Sequence, residues 1–196
     1  MDDAEIWTHI DAQRAALADF LDTLTADQWA TPSLCEGWSV REVAAHLTHS
    51  TESRPRMALE TVKSGFRFNA MVSRLAREDP RGPDELVAAL RAMVGNRRRP
   101  PGTAVADPLT DVLVHTQDIA IPLGVDRQMP TPLAVVAARR LWSMGFPYHA
   151  RKRFAGTRLQ ATDADVAVGE GRVIEAPIRD IVLALSGRNS AVAPRV

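Results

Sequence analysis

Apolar residues recur every three or four positions through most of the chain, the signature of helices that bury one face. Ile6, Ile10, Leu17, Phe20, Leu21 and Leu24 predict a first long helix over residues 3–24. Thr25 and Asp27 then open a short turn carrying Trp29, and the loop "ATPSLCEGW" leads into a second helix. Ser39 followed three residues later by Glu42 is a capping box, and Val40, Val43, Ala44 and Leu47 form the stripe that the helix buries. Pro55, preceded by Ser53, kinks that helix or starts another. Further helices are predicted over about Phe66 to Glu78, over Pro83 to Asn96, over "DPLTDVLVHTQDIAIPLG" ending at Gly124, and over "TPLAVVAARRLWSMG" ending at Gly145. After Phe154 the pattern changes. "TRLQATDADVAVGEGRVIEA" alternates apolar and polar residues on either side of "GEG", which predicts a hairpin there, and "PIRDIVLALSGR" reads as a closing helix. The expected architecture is mainly α: an antiparallel helix bundle over residues 1–150, then a small strand–strand–helix region over 151–196.

With 196 residues, 45% of them hydrophobic, the chain can fill a core of its own. The 24 Lys and Arg balance the 24 Asp and Glu, so no overall field draws nucleic acid or an anionic membrane, and the basic stretch "NRRRPPG" reads as a solvated connector. The apolar runs are shorter than the roughly 20 residues of a bilayer span, and the acidic N-terminus lacks the order of a signal peptide. A cytoplasmic location is therefore expected, while oligomeric state leaves no mark on the sequence. The single cysteine, Cys35, rules out an intramolecular disulfide and an all-cysteine metal site. Close to a leucine and a turn glycine it reads as a small buried hydrophobe, so any thiol chemistry would take its thiol from a small molecule.

The candidate chemistry lies in three residues. His46 follows Val43 by three and sits beside Leu47, at the edge of a stripe that ought to be apolar. Asp111 and His115, four apart in "DVLVH", share one helix face. A carboxylate and an imidazole at that spacing, joined by a histidine from a facing helix, give three N/O ligands for one divalent ion and leave a coordination position open. Asp118, three residues after His115, is placed to hold the second imidazole nitrogen. An isolated pair of this kind also suits a salt bridge on a solvated face, and a lone histidine suits a hydrogen-bonded core. Val112, Leu113 and Val114 weigh against a solvated face.

"DQWATPSLCEGWSVREVAAHL", "DPLTDVLVHTQDIAIPLG" and the tail "LQATDADVAVGEGRVIEAPIRDIVLALSGR", in that order, resemble the mycothiol-dependent maleylpyruvate isomerases and their relatives. The resemblance implies a DinB-like antiparallel four-helix bundle with a small C-terminal β-hairpin plus helix, and a zinc (or other divalent metal) site made of His46, Asp111 and His115. It also implies that Arg188 of "SGR" receives a substrate carboxylate, against the alternative of an arginine that faces water. The chain departs from the enzyme that names the family by carrying Asp111 where that pair has glutamate. What the resemblance implies in function is an enzyme, isomerase or S-transferase, whose zinc activates mycothiol, the small thiol of actinobacteria, for addition to a small electrophile. A non-catalytic zinc-binding or regulatory bundle and a metal-dependent hydrolase are the competing readings. The hydrolase would need a general base beside the metal, and Glu42 is already assigned to the helix cap.

Overall fold

The computed structural model describes residues 1–65, 67–100, 102–188 and 192, which fall into two compact units, Met1–Arg127 and Gln128–Val196. The first unit is helical throughout: α1 (Asp3–Leu21), α2 (Ala26–Ala30), α3 (Val40–His49), α4 (Arg54–Lys63), α5 (Phe68–Arg77), α6 (Pro83–Ala92) and α7 (Ala106–Ala120). The second holds α8 (Thr131–Ser143), α9 (Ala150–Arg153), β1 (Thr157–Ala161), β2 (Ala167–Gly169), β3 (Arg172–Ala176) and α10 (Ile178–Leu185).

Local chemistry starts and stops these helices. Asp2 and Glu5, Thr25 and Gln28, and Ser39 and Glu42 form reciprocal capping boxes at the heads of α1, α2 and α3. Pro55 begins a new helix, α4, instead of kinking α3. The helix expected from Phe66 is seen from Phe68, and Phe66 itself lies outside the described residues. Past the end of α6, the buried Arg14 guanidinium donates to the carbonyls of Met93 (2.8 Å) and Asn96 (3.0 Å). A cation there satisfies carbonyls that the helix end leaves without partners. Arg97 in the basic connector donates to Asp11 Oδ2 at 2.6 Å and lies over the Trp7 ring, which ties the connector to α1.

In the first unit α1 and α3 each pack on both α6 and α7, the neighbour relations of a four-helix bundle. Leu17, Leu21, Val43, Leu47, Leu90 and Ile119 meet in its core. Between Pro108 and Ala120 every residue of α7 is buried except Asp111, which is half-buried. Among the described residues no helix is long and apolar enough to cross a membrane.

Two expectations change in the second unit. The periodicity put α8 in a bundle ending at residue 150, but α8 packs on α10 and α9, so the unit boundary falls at Arg127. The chain also makes no β2–β3 hairpin at "GEG". The sheet order is β2-β1-β3, with β1 antiparallel to β2 (Leu159 opposite Val168) and parallel to β3 (Leu159 opposite Ile174). The hairpin turn is "TDADV", whose Asp163 Oδ1 accepts the Ile178 N–H (2.7 Å) at the start of α10. "GEG" instead carries the chain across the start of β1 from one edge of the sheet to the other. A Cβ on Gly169 would lie 2.2 Å from the Thr157 carbonyl oxygen, and one on Gly171 would lie 2.3 Å from that of Gly156. Only glycine permits that approach, and both take positive φ. Alternation flags strands but does not say which strands pair.

Candidate metal centre

α3 and α7 bring the three sequence candidates together. His46 sits in the last turn of α3, on the edge of the stripe that Val43 and Leu47 bury. Asp111 and His115 lie one turn apart on α7, which packs on α3. Asp111 Oδ1 is 3.3 Å from His115 Nε2 and 3.7 Å from His46 Nε2, and the two imidazoles meet edge to face with centroids 4.8 Å apart. Donors around a tetrahedral zinc with bonds of about 2.0–2.1 Å stand about 3.3 Å apart. The donor set and its spacing therefore fit such an ion with aspartate at position 111. The His46 and Asp111 side chains keep 21% and 25% of their surface, whereas His115 keeps 8%, so the cluster has a solvent-facing side at its first two members.

The other side of His115 is closed. Its Nδ1 is 2.8 Å from Asp118 Oδ2, the contact that the three-residue spacing anticipates, and the Asp118 side chain is fully buried. Cys35 donates its Sγ–H to the same oxygen at 3.1 Å and lies 3.7 Å from His115 Nδ1. Among the described residues, two groups of three potential ligand atoms each come within 4.8 Å of one another: His46, Asp111 and His115, and Cys35, His115 and Asp118. His115 belongs to both, through opposite nitrogens. From sequence, Cys35 is expected to serve packing alone. It does pack against the bundle core, but its thiol is also bound to a buried carboxylate. Trp38, in the same loop, sets its ring 5.2 Å from that of His46 and donates Nε1–H to Ser73 Oγ (3.3 Å). The quoted "SLCEGW" held this signal: Cys35 and Trp38 lie on either side of a turn glycine, just before the histidine helix.

The electrostatics follow from these contacts. Burial alone would push His115 down, but its hydrogen bond and charge attraction to Asp111, with its contacts to Asp118 and Cys35, outweigh it and raise the imidazole well above its ordinary value. Burial alone would raise Asp111, and the hydrogen bonds of His115 and His46 reverse that, holding the carboxyl well below the usual carboxylate range.

Three other residues singled out in the sequence lie outside this cluster of donors. His49, one turn beyond His46, has Nε2 2.8 Å from Asp79 Oδ2 and belongs to a network with Arg81 and Thr48. Glu42 Oε2 accepts the Ser39 backbone N–H (2.6 Å) and hydroxyl (3.0 Å), as its cap role requires. Arg188 lies in the second unit, just past α10, where its Nη1 donates to the Ser186 carbonyl at 2.8 Å.

Residues 10–107, half of the chain's length, match the family described as the mycothiol maleylpyruvate isomerase N-terminal domain, a span that includes His46 and stops short of Asp111 and His115. No curated protein matches. Among solved structures, a crystal structure of the mycothiol-dependent maleylpyruvate isomerase is 15% identical, with a TM-score of 0.66 over 97% of this chain and 91% of that one. A histidine-to-alanine mutant of that isomerase gives a TM-score of 0.67 at the same identity and coverage. At such low identity the likeness shows a common fold, mainly helical with a small C-terminal sheet. With half its length matched by the family, this chain belongs to the mycothiol maleylpyruvate isomerase N-terminal domain family.

Proposed function

We propose that the protein is a mycothiol-dependent enzyme, an isomerase or S-transferase, in which His46, Asp111 and His115 hold a divalent metal, zinc by its taste for imidazole and carboxylate donors. The observation that carries this reading is the convergence of His46 Nε2, Asp111 Oδ1 and His115 Nε2 within 4.8 Å in a chain of this family. A bound divalent cation would favour the thiolate form of a thiol brought to its open position. The protein's own groups prepare that position. With Asp118 on Nδ1 of His115, an ion that displaces the proton from Nε2 would find that nitrogen's lone pair directed at the Asp111 side. Asp111 supplies negative charge, and Trp38 flanks the ring of His46.

Two placements favour an external thiol. Cys35, the only cysteine, lies against Nδ1 of His115 and therefore on the side away from the three convergent donors. Glu42 is held in the helix cap, which removes the general base that the hydrolase reading would use. In the isomerase reaction the thiolate sulfur adds to an activated double bond, the resulting single bond rotates, and the sulfur leaves as the double bond re-forms. No net redox change occurs, and retention of the adduct would make the same site a transferase.

Metal analysis of purified protein should find about one divalent ion per chain, and His46→Ala or His115→Ala should each lose most of it. Full occupancy in both variants would remove the site assignment. Turnover of a small unsaturated acid should require added mycothiol, saturate with it and stop on chelation. Equal rates without any thiol would instead favour hydrolysis.

A further inference from the structure

The loop between α2 and α3 is built to be stiff. Ser33 N–H and Oγ–H both donate to the Trp38 carbonyl (2.8 Å each), Cys35 N–H donates to Ser33 Oγ (3.1 Å), and Trp38 N–H donates to the Cys35 carbonyl (3.0 Å). Gly37 closes the turn with φ of +73°, and Val40 N–H donates to the Thr31 carbonyl (2.9 Å). The loop is also fastened to α7 at Asp118. Leu34 N–H donates to the Asp118 carbonyl (3.1 Å), and the Cys35 thiol donates to its Oδ2 (3.1 Å).

We infer that Cys35 is a positioning residue for the metal centre: its thiol holds the Asp118 carboxylate in the orientation that keeps His115 Nδ1 occupied and Nε2 turned to Asp111 and His46. The inference rests on the metal reading given above and adds to it a group that would never touch the ion. Asp118 Oδ2 has two lone pairs. One meets His115 Nδ1 at 2.8 Å, and the thiol meets the other at 3.1 Å, so rotation of the carboxylate costs the thiol hydrogen bond as well as the imidazole one. Because the backbone of the same loop is anchored at Leu34, the sulfur has little freedom to follow such a rotation. A cysteine that merely filled space would need no donor, and valine would replace it.

The test uses the full chain with cobalt(II) as the probe, read by its visible absorption and by its dissociation constant. Cys35→Ser keeps a donor and should bind within about threefold of the parent. Cys35→Ala and Cys35→Val lack one and should bind about 10–100-fold more weakly, the usual cost of losing an outer partner of a metal ligand, with an altered cobalt spectrum. Since the thiol acts through Asp118, Cys35→Val should add little to the loss already caused by Asp118→Asn. Parent-like affinity in Cys35→Val overturns the inference, as does an equal loss in Cys35→Ser and Cys35→Val, or a fully additive double variant. Failure of the parent protein to bind cobalt overturns the metal reading itself and this inference with it, and so is told apart from failure confined to the Cys35 variants.

Discussion

His115 faces a carboxylate on each of its ring nitrogens, and this governs how metal and proton compete for it. The raised imidazole favours the protonated form in metal-free protein, and metal binding must compete with that proton. Cobalt affinity should therefore rise about tenfold per pH unit until the pH passes the raised value of His115, with about one proton released per ion. Titrations at several pH values with a proton-release measurement check this, and a flat profile would contradict it. The linkage in metal-free protein has the matching signs. The stability that His115 contributes is fully present below about pH 6.5 and is lost as pH rises through its raised value. That from Asp111 is present above about pH 3.9 and is lost as pH falls through its depressed value.

At the scale of elements, the end of α3 is secured to the segment before α6 by a buried ionic network. Asp79 receives both side-chain and backbone hydrogen bonds from Arg81 as well as the contact with His49, and Arg41 caps the carbonyls of Asp79 and Arg81. Burial alone would raise Asp79, but these partners hold it well below the usual carboxylate range, while burial lowers His49. Both shifts mean that the unfolded chain binds more protons. Stability is thus lost on acidification, below about pH 6.5 for His49 and below about pH 3.9 for Asp79. Asp79→Asn leaves Arg81 without its anion in a site where Asp79 is 3% exposed, and should cost about 2–4 kcal/mol at pH 7. The difference from the parent protein should narrow as the pH falls below about 4. Denaturant unfolding across pH measures both, and a cost that did not depend on pH would sink the electrostatic account. The start of α3 was legible because its capping box spans only four residues, whereas the box that turns residues 26–30 into the short helix α2 reads from sequence as a turn. The strand order was not, because the pairing of β1 with both neighbours depends on contacts that alternation does not encode.

At the scale of the molecule, the balanced charge leaves local geometry as the source of specificity. The three candidate ligands all belong to the unit Met1–Arg127. An ion that binds only the folded state stabilises by about 2.7 kcal/mol at a hundredfold excess over its dissociation constant. The unfolding of that unit should then move up by about 10 °C in calorimetry. His46→Ala should show no such shift, and a shift of equal size in that variant would place the ion elsewhere.

The sequence alone determined the long helices, the capping box of α3, the placement of Asp111, His115 and Asp118 on one helix face, and the odd position of His46, because helical spacing and capping are properties of neighbouring residues. It also carried the family, through the stretch "DQWATPSLCEGWSVREVAAHL" inside the matched residues 10–107. Only the tertiary structure decided which unit α8 joins, how β1 pairs, and what Cys35 does. Cys35 and Asp118 are 83 positions apart, and the thiol reaches the carboxylate only when the loop before α3 docks on α7. From sequence such a cysteine looks like any small apolar residue. Its hydrogen bond exists only where two distant segments meet in a buried space that gives the thiol a specific acceptor.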